Sequence, residues 1–76
     1  MTVFPLVSGR EAVKRFLRIG YVLVRQRGSH MRLIHPLNTN RQPLTVPDHR
    51  ELGKGLLRKL LRDSELSVSE FEMLKR

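Results

Sequence analysis

The 76-residue chain predicts an α+β domain, with the order α-β-β-β-α and a short terminal helix. Three observations lead there. Residues 8–19 and 51–62 carry apolar side chains at helical spacing. Between them lie three short runs rich in β-formers, parted by turn and loop signals. A three-stranded antiparallel sheet also needs a cover on one face, and the helices are what the chain has to supply it. The core must be aliphatic, because aromatic residues make up 5% and Trp is absent. A chain this short buries only about 60% of its unfolded surface, which leaves room for one domain spanning residues 1–76 and none for a deep substrate cavity.

Each element has its own signal. Ser8 opens the first helix, with Glu11 at the capping-box spacing. Ala12, Val13, Phe16, Leu17 and Ile19 form its apolar stripe, and Arg10, Lys14, Arg15 and Arg18 fall on the remaining surface. Gly20 supplies the stop. Residues 21–27 read as a strand, Gly28-Ser29 as a tight turn and residues 30–35 as the returning strand, which Pro36 ends. A polar loop leads to a third strand over residues 42–46, with Leu44 and Val46 on one face and Pro47 as the stop. In the second helix, Leu56, Leu57, Leu60 and Leu61 make the apolar stripe, while Lys54, Arg58, Lys59 and Arg62 make a basic face. Gly53 and Gly55 weaken its first turn. A last helical segment starts at Ser67, with Glu70 at capping-box spacing.

The charge is large and unevenly placed. Lys and Arg number 15 against 7 acids, for a net charge of +8. The cations concentrate between Arg10 and Arg62, and the acids between Asp63 and Glu72. Most of the cations are arginine, whose planar fork suits phosphate better than the point charge of lysine. A basic body of this kind points to a polyanion, with nucleic acid favoured over a membrane surface. The run Val3-Phe4-Pro5-Leu6-Val7 is shorter than the roughly 7–15 apolar residues of a secretory signal, and nothing approaches the roughly 18 of a membrane span. A soluble, cytoplasmic protein is the expectation. Zero cysteines exclude disulfides, thiolate metal sites and cysteine nucleophiles.

Three groups carry possible chemistry, each with a histidine. In Arg25-Gln26-Arg27-Gly28-Ser29-His30, with Arg32 just beyond, a glycine turn permits close approach of a bound backbone. Arg25, Arg27, His30 and Arg32 line one phosphate-binding surface if the hairpin register allows it. Cutting RNA without a metal needs a base for the 2′-OH and a proton for the leaving oxygen, and imidazole titrates near neutral pH. The plain alternative is an exposed strand histidine. In Val46-Pro47-Asp48-His49, Asp48 is placed to cap the second helix, and His49 bonds locally or contacts RNA. His35-Pro36 reads as structural. His30, His35 and His49 match no compact zinc spacing. Neither Ser8 nor Ser29 sits in a nucleophile elbow, and Gly53-Lys54-Gly55 lacks the spacing of a phosphate-binding loop.

Taken together, these segments resemble the HicA family, the small toxins of type II toxin–antitoxin modules. The likeness runs through the helix Gly9–Gly20, Gly20-Tyr21, Arg27-Gly28-Ser29-His30, His35-Pro36 and Thr45-Val46-Pro47-Asp48-His49. It continues through Lys54–Arg62 and Ser67-Val68-Ser69-Glu70-Phe71, covering about Ser8 to Leu74. It implies a double-stranded-RNA-binding-domain-like fold and an mRNA interferase that cuts RNA without cofactor or metal. It also implies a HicB-type antitoxin that covers the active face, in a toxin–antitoxin hetero-oligomer. On this likeness His30 is the catalytic residue, presented by Gly28 and Ser29. The RNA-binding set expected is Arg25, Arg27, Gly28, Ser29, Arg32, His49, Lys54 and Arg58. Leu56 departs from the family, which usually carries a small hydroxyl residue there. The competing readings are a non-catalytic RNA-binding module of the same fold, and a protein-interaction unit whose basic helix docks an acidic partner.

Overall fold

The computed structural model describes residues 4–75, so Val3 of the N-terminal apolar run and Arg76 lie outside the described residues. The order is α1 (Gly9–Arg18), β1 (Val22–Arg27), β2 (His30–Ile34), β3 (Leu44–Pro47), α2 (Lys54–Ser64) and α3 (Val68–Met73). The strands form one antiparallel sheet in the order β1-β2-β3. This is the α+β architecture expected from the sequence.

Met31, Leu33, Leu44 and Val46 point from the sheet into a core shared with Ala12, Val13 and Phe16 of α1, with Leu57, Leu60 and Leu61 of α2, and with Phe71 of α3. The helices therefore cover one face, and the other is left open. Leu56 is half-buried against this core, which gives the residue that departs from the family pattern a packing role.

The ends of α1 are built by local hydrogen bonds. Ser8 Oγ accepts from the Glu11 backbone N–H at 3.0 Å. The return half of the expected capping box does not form, because the Glu11 carboxylate accepts from Arg15 Nε at 3.1 Å instead. At the other end the Tyr21 N–H reaches Phe16 O and the Gly20 N–H reaches Leu17 O, the paired bonds of a Schellman stop, with Gly20 at φ 106°. The full capping box does form at α3, between Ser67 and Glu70.

Several expectations are corrected. Arg15 does not lie on the solvent face of α1. It is 4% exposed, and its guanidinium stacks 4.6 Å from the centre of the Phe71 ring while pairing with Glu11 and Glu72. Leu17, expected in the apolar stripe, is largely exposed. Pro47 ends β3 from within, opposite His30. A proline is tolerated there because β3 is an edge strand, where an absent N–H need not break a ladder. β3 starts at Leu44 and β1 at Val22, each later than expected. The second helix begins at Lys54 because the preceding residues are bonded elsewhere: Leu52 N–H donates to Val7 O at 2.8 Å, and His49 O accepts from Gly9 N–H at 2.9 Å. Asp48 does not cap α2, whose N-cap is Gly53 with no side-chain bond. Its carboxylate instead takes a two-pronged contact from Arg10 at 3.0–3.2 Å.

Tyr21 is buried, edge-on to Phe16 and His35, and its hydroxyl donates to Gln42 O at 2.8 Å. Burial pushes the phenol up from 10.0 to about 12. The fold thus favours the neutral phenol, and that stabilisation is complete below pH 10.0 and lost as pH rises toward about 12. The absorbance of the chain's single tyrosine should titrate with a midpoint near about 12 in the folded protein. A midpoint at the ordinary value would contradict its burial.

Two glycines give a second check, of opposite sign. A Cβ on Gly9 would lie 1.9 Å from Pro47 O, whereas one on Gly55 meets nothing within 4 Å. Gly9→Ala should destabilise the fold by about 2 kcal/mol or more. Gly55→Ala should stabilise it by roughly 0.5–1 kcal/mol, since Gly55 lies in a helix. Urea midpoints of the two variants measure both.

Candidate nucleic-acid interface

The open face of the sheet is organised by the β1–β2 hairpin. Its turn has only two residues, Gly28 and Ser29, and of these only Gly28 takes a positive φ, at 55°. That is the pattern of a type II′ turn, whose twist matches that of the strands. Arg27 then faces His30, Gln26 faces Met31, and Arg25 faces Arg32. Opposed residues share a face, and Met31 points into the core. Arg25, Arg27, His30 and Arg32 must therefore all stand on the open side. The register left undetermined by the sequence is the one that joins these four side chains. Beyond them a bulge at Val24 shifts the register, so that Leu23 faces Leu33.

The four residues line a shallow hollow of about 200 Å³, together with Thr45 from β3. Thr45 was not singled out from the sequence. It arrives because β3 pairs Thr45 opposite Arg32, and Arg32 Nη1 donates to its hydroxyl oxygen at 2.9 Å. That bond holds one guanidinium edge and leaves the Thr45 proton free to donate. His30 is exposed, so its imidazole meets solvent directly. The turn below it is fastened to the rest of the fold, since the Asp48 N–H donates to Ser29 O.

The electrostatics of this hollow follow from where the acids go. Glu11 and Glu72 hold Arg15, Asp48 holds Arg10, and Asp63 holds Lys59. Glu70 is turned to the Ser67 backbone, which keeps its carboxyl below the usual range. Among the described residues Arg25, Arg27 and Arg32 form no ion pair. Three guanidiniums beside an exposed imidazole and a hydroxyl offer the donors that charge-assisted hydrogen bonds to a phosphodiester require.

The other candidate residues lie apart. Gly28 and Ser29 form the turn at the edge of the hollow and do not line it. His49 is exposed in the loop after β3, and its carbonyl anchors α1. Lys54 and Arg58 sit beside the Phe4 ring, at 5.7 and 5.4 Å from its centre. They line a larger crevice of about 510 Å³ with Leu61, Arg62, Leu66 and Val68. That crevice is the roomier of the two, but it holds no histidine. His35 is structural: its Nδ1 accepts from the Asn38 N–H at 3.1 Å, so its Nε2 must carry the proton donated to Ile19 O at 2.7 Å. The three histidines do not converge, and among the described residues no three His, Asp or Glu side chains gather as a metal site. Among the described residues, no helix is long and apolar enough to cross a membrane.

A family model described as "HicA toxin of bacterial toxin-antitoxin" matches residues 9–66. No curated protein matches the chain.

If the hollow holds phosphates, each of its arginines contributes one released counterion. Removing Arg25, Arg27 or Arg32 one at a time by substitution to Ala should reduce the slope of log affinity against log salt by about 1 for a polyanion such as single-stranded RNA. Arg10→Ala, which removes a guanidinium already held by Asp48, should change the slope much less. Equal slopes for all four variants would remove the hollow as the anion site.

Proposed function

The chain belongs to the HicA family of toxins from bacterial toxin–antitoxin modules, and from that premise we propose that it is an mRNA interferase that uses His30 to cut RNA without a metal. Membership implies a cognate antitoxin. The observation that carries the catalytic reading is the exposed imidazole of His30 in one hollow with Arg25, Arg27 and Arg32.

The chemistry follows from that set. Neutral His30 takes the proton of a ribose 2′-OH, and the oxygen attacks the adjacent phosphorus. Negative charge builds on the non-bridging oxygens as the bond to the 5′-oxygen breaks. That oxygen leaves as a hydroxyl by taking a proton from water, while His30 returns its own proton to solvent. Arg32, held by Thr45, and Arg25 and Arg27 beside it stabilise the charge on the phosphate. The shallow hollow suits a single strand laid across the sheet, whose sugar and phosphate come within reach of the ring. Recognition of duplex by shape would instead need contacts across successive minor grooves. Translation stops because the message is cut.

His30→Ala should lower cleavage of a labelled single-stranded RNA by roughly 10²–10⁴-fold, with circular dichroism unchanged, and should abolish growth arrest on induction. EDTA should leave wild-type cleavage intact. Full activity in His30→Ala would remove His30 from catalysis, absence of cleavage by the wild-type chain would leave a non-catalytic RNA-binding module, and loss of activity in EDTA would point to a metal.

A further inference from the structure

β1 is an edge strand with an unusual property for so small a fold: all six of its residues are exposed. Among the described residues its backbone pairs with β2 alone, so one side of the strand keeps free N–H and C=O groups. Val22, Leu23 and Val24 stand side by side on it at 41–49% exposure. Between β1 and α1 runs a groove of about 340 Å³, floored by Val13, Leu23 and Met31 and rimmed by Arg10 and Lys14. β1 itself carries Arg25 and Arg27 and no acid.

An edge of this kind is a template for strand addition. Its charges decide the occupant. A second copy would bring two more arginines and no acid to this edge, in a chain of net charge +8, and gathering like charge across a strand pair is destabilising. RNA would find aliphatic side chains where stacking needs rings, since Phe16, Tyr21 and Phe71 are buried. An extended protein segment satisfies every feature. Its backbone completes the ladder, apolar side chains enter the groove, and carboxylates meet the arginines and Lys14.

We infer that β1 is the docking edge for an extended, acidic segment of the cognate antitoxin, which adds to the sheet as a fourth strand. The inference rests on the toxin–antitoxin reading above and goes beyond it in naming the element, the mode and the charge of the contact. It also accounts for inhibition. A strand added at about 4.8 Å from β1 places its outward side chains beside Arg25 and Arg27, so the hollow loses its free guanidiniums when the antitoxin binds.

The test uses the full chain and its cognate antitoxin. Hydrogen exchange of residues 22–27 should slow markedly in the complex, more than that of α2. Val24→Glu alters an exposed bulge residue and should weaken the complex by tenfold or more, roughly the loss of one well-placed contact. Met73→Glu makes the same charge change on exposed α3 and should stay within about threefold of wild type. Protection confined to α2, together with wild-type affinity in Val24→Glu, would overturn the inference while leaving the toxin–antitoxin pairing in place. Protection of β1 by single-stranded RNA but not by the antitoxin would also overturn it, and would assign the edge to RNA. If the wild-type chain forms no complex at all, the pairing itself fails and the docking edge with it.

Discussion

A two-residue turn leaves the backbone no slack. With Gly28 at positive φ and Ser29 completing the reversal, Arg27 must face His30, and each pair behind them is set in turn. Because side chains alternate strictly along a strand, a slip of one residue would send His30 and Arg32 into the core and bring Met31 and Leu33 to the surface. Burial of Met31 and Leu33, both under 5% exposed, opposes that slip strongly. The hydrophobic core and the site are thus two faces of one register. The bond from the Asp48 N–H to Ser29 O extends the constraint to the loop that leads toward α2.

One-sided packing then creates the functional surface. The core takes most of the aliphatic side chains, and around the hairpin the other side of the sheet is cationic. Most of the acids are held by partners of their own, near and far along the chain. Arg15 is the clearest instance: sunk against Phe71, it takes Glu11 from its own helix and Glu72 from α3, joining the acidic end of the chain to α1. The Asp48–Arg10 and Asp63–Lys59 pairs occupy two more carboxylates. The arginines of the open face are left with no internal counter-charge among the described residues, which is the condition for holding an external phosphate.

Much of the architecture was legible in the sequence because its signals are local. Apolar spacing marked both long helices, the two residues between β-rich runs marked the hairpin, and Ser67 with Glu70 marked the start of α3. The site was legible in composition, since an imidazole and three arginines cluster within eight residues of chain, from Arg25 to Arg32. Where expectation and structure differ, a competing partner replaced the expected one. Glu11 left the box at Ser8 for Arg15, Asp48 left the start of α2 for Arg10, and residues 49–52 were taken from the second helix by backbone bonds to the N-terminal segment. Thr45 and the buried state of Arg15 had no local signature, because each depends on an element remote in sequence.

By itself the sequence determined the order of elements, the aliphatic core, the basic charge and the residue types capable of the chemistry. These depend on spacing and side-chain character, which act within a few residues. Only the tertiary structure decided that Arg25, Arg27, His30, Arg32 and Thr45 share one hollow, that Lys54 and Arg58 belong to another surface, and that β1 is left as an open edge. Those outcomes depend on which residues lie across from one another and on which strand ends the sheet. Both are set by hydrogen bonds and burial between segments that are far apart along the chain.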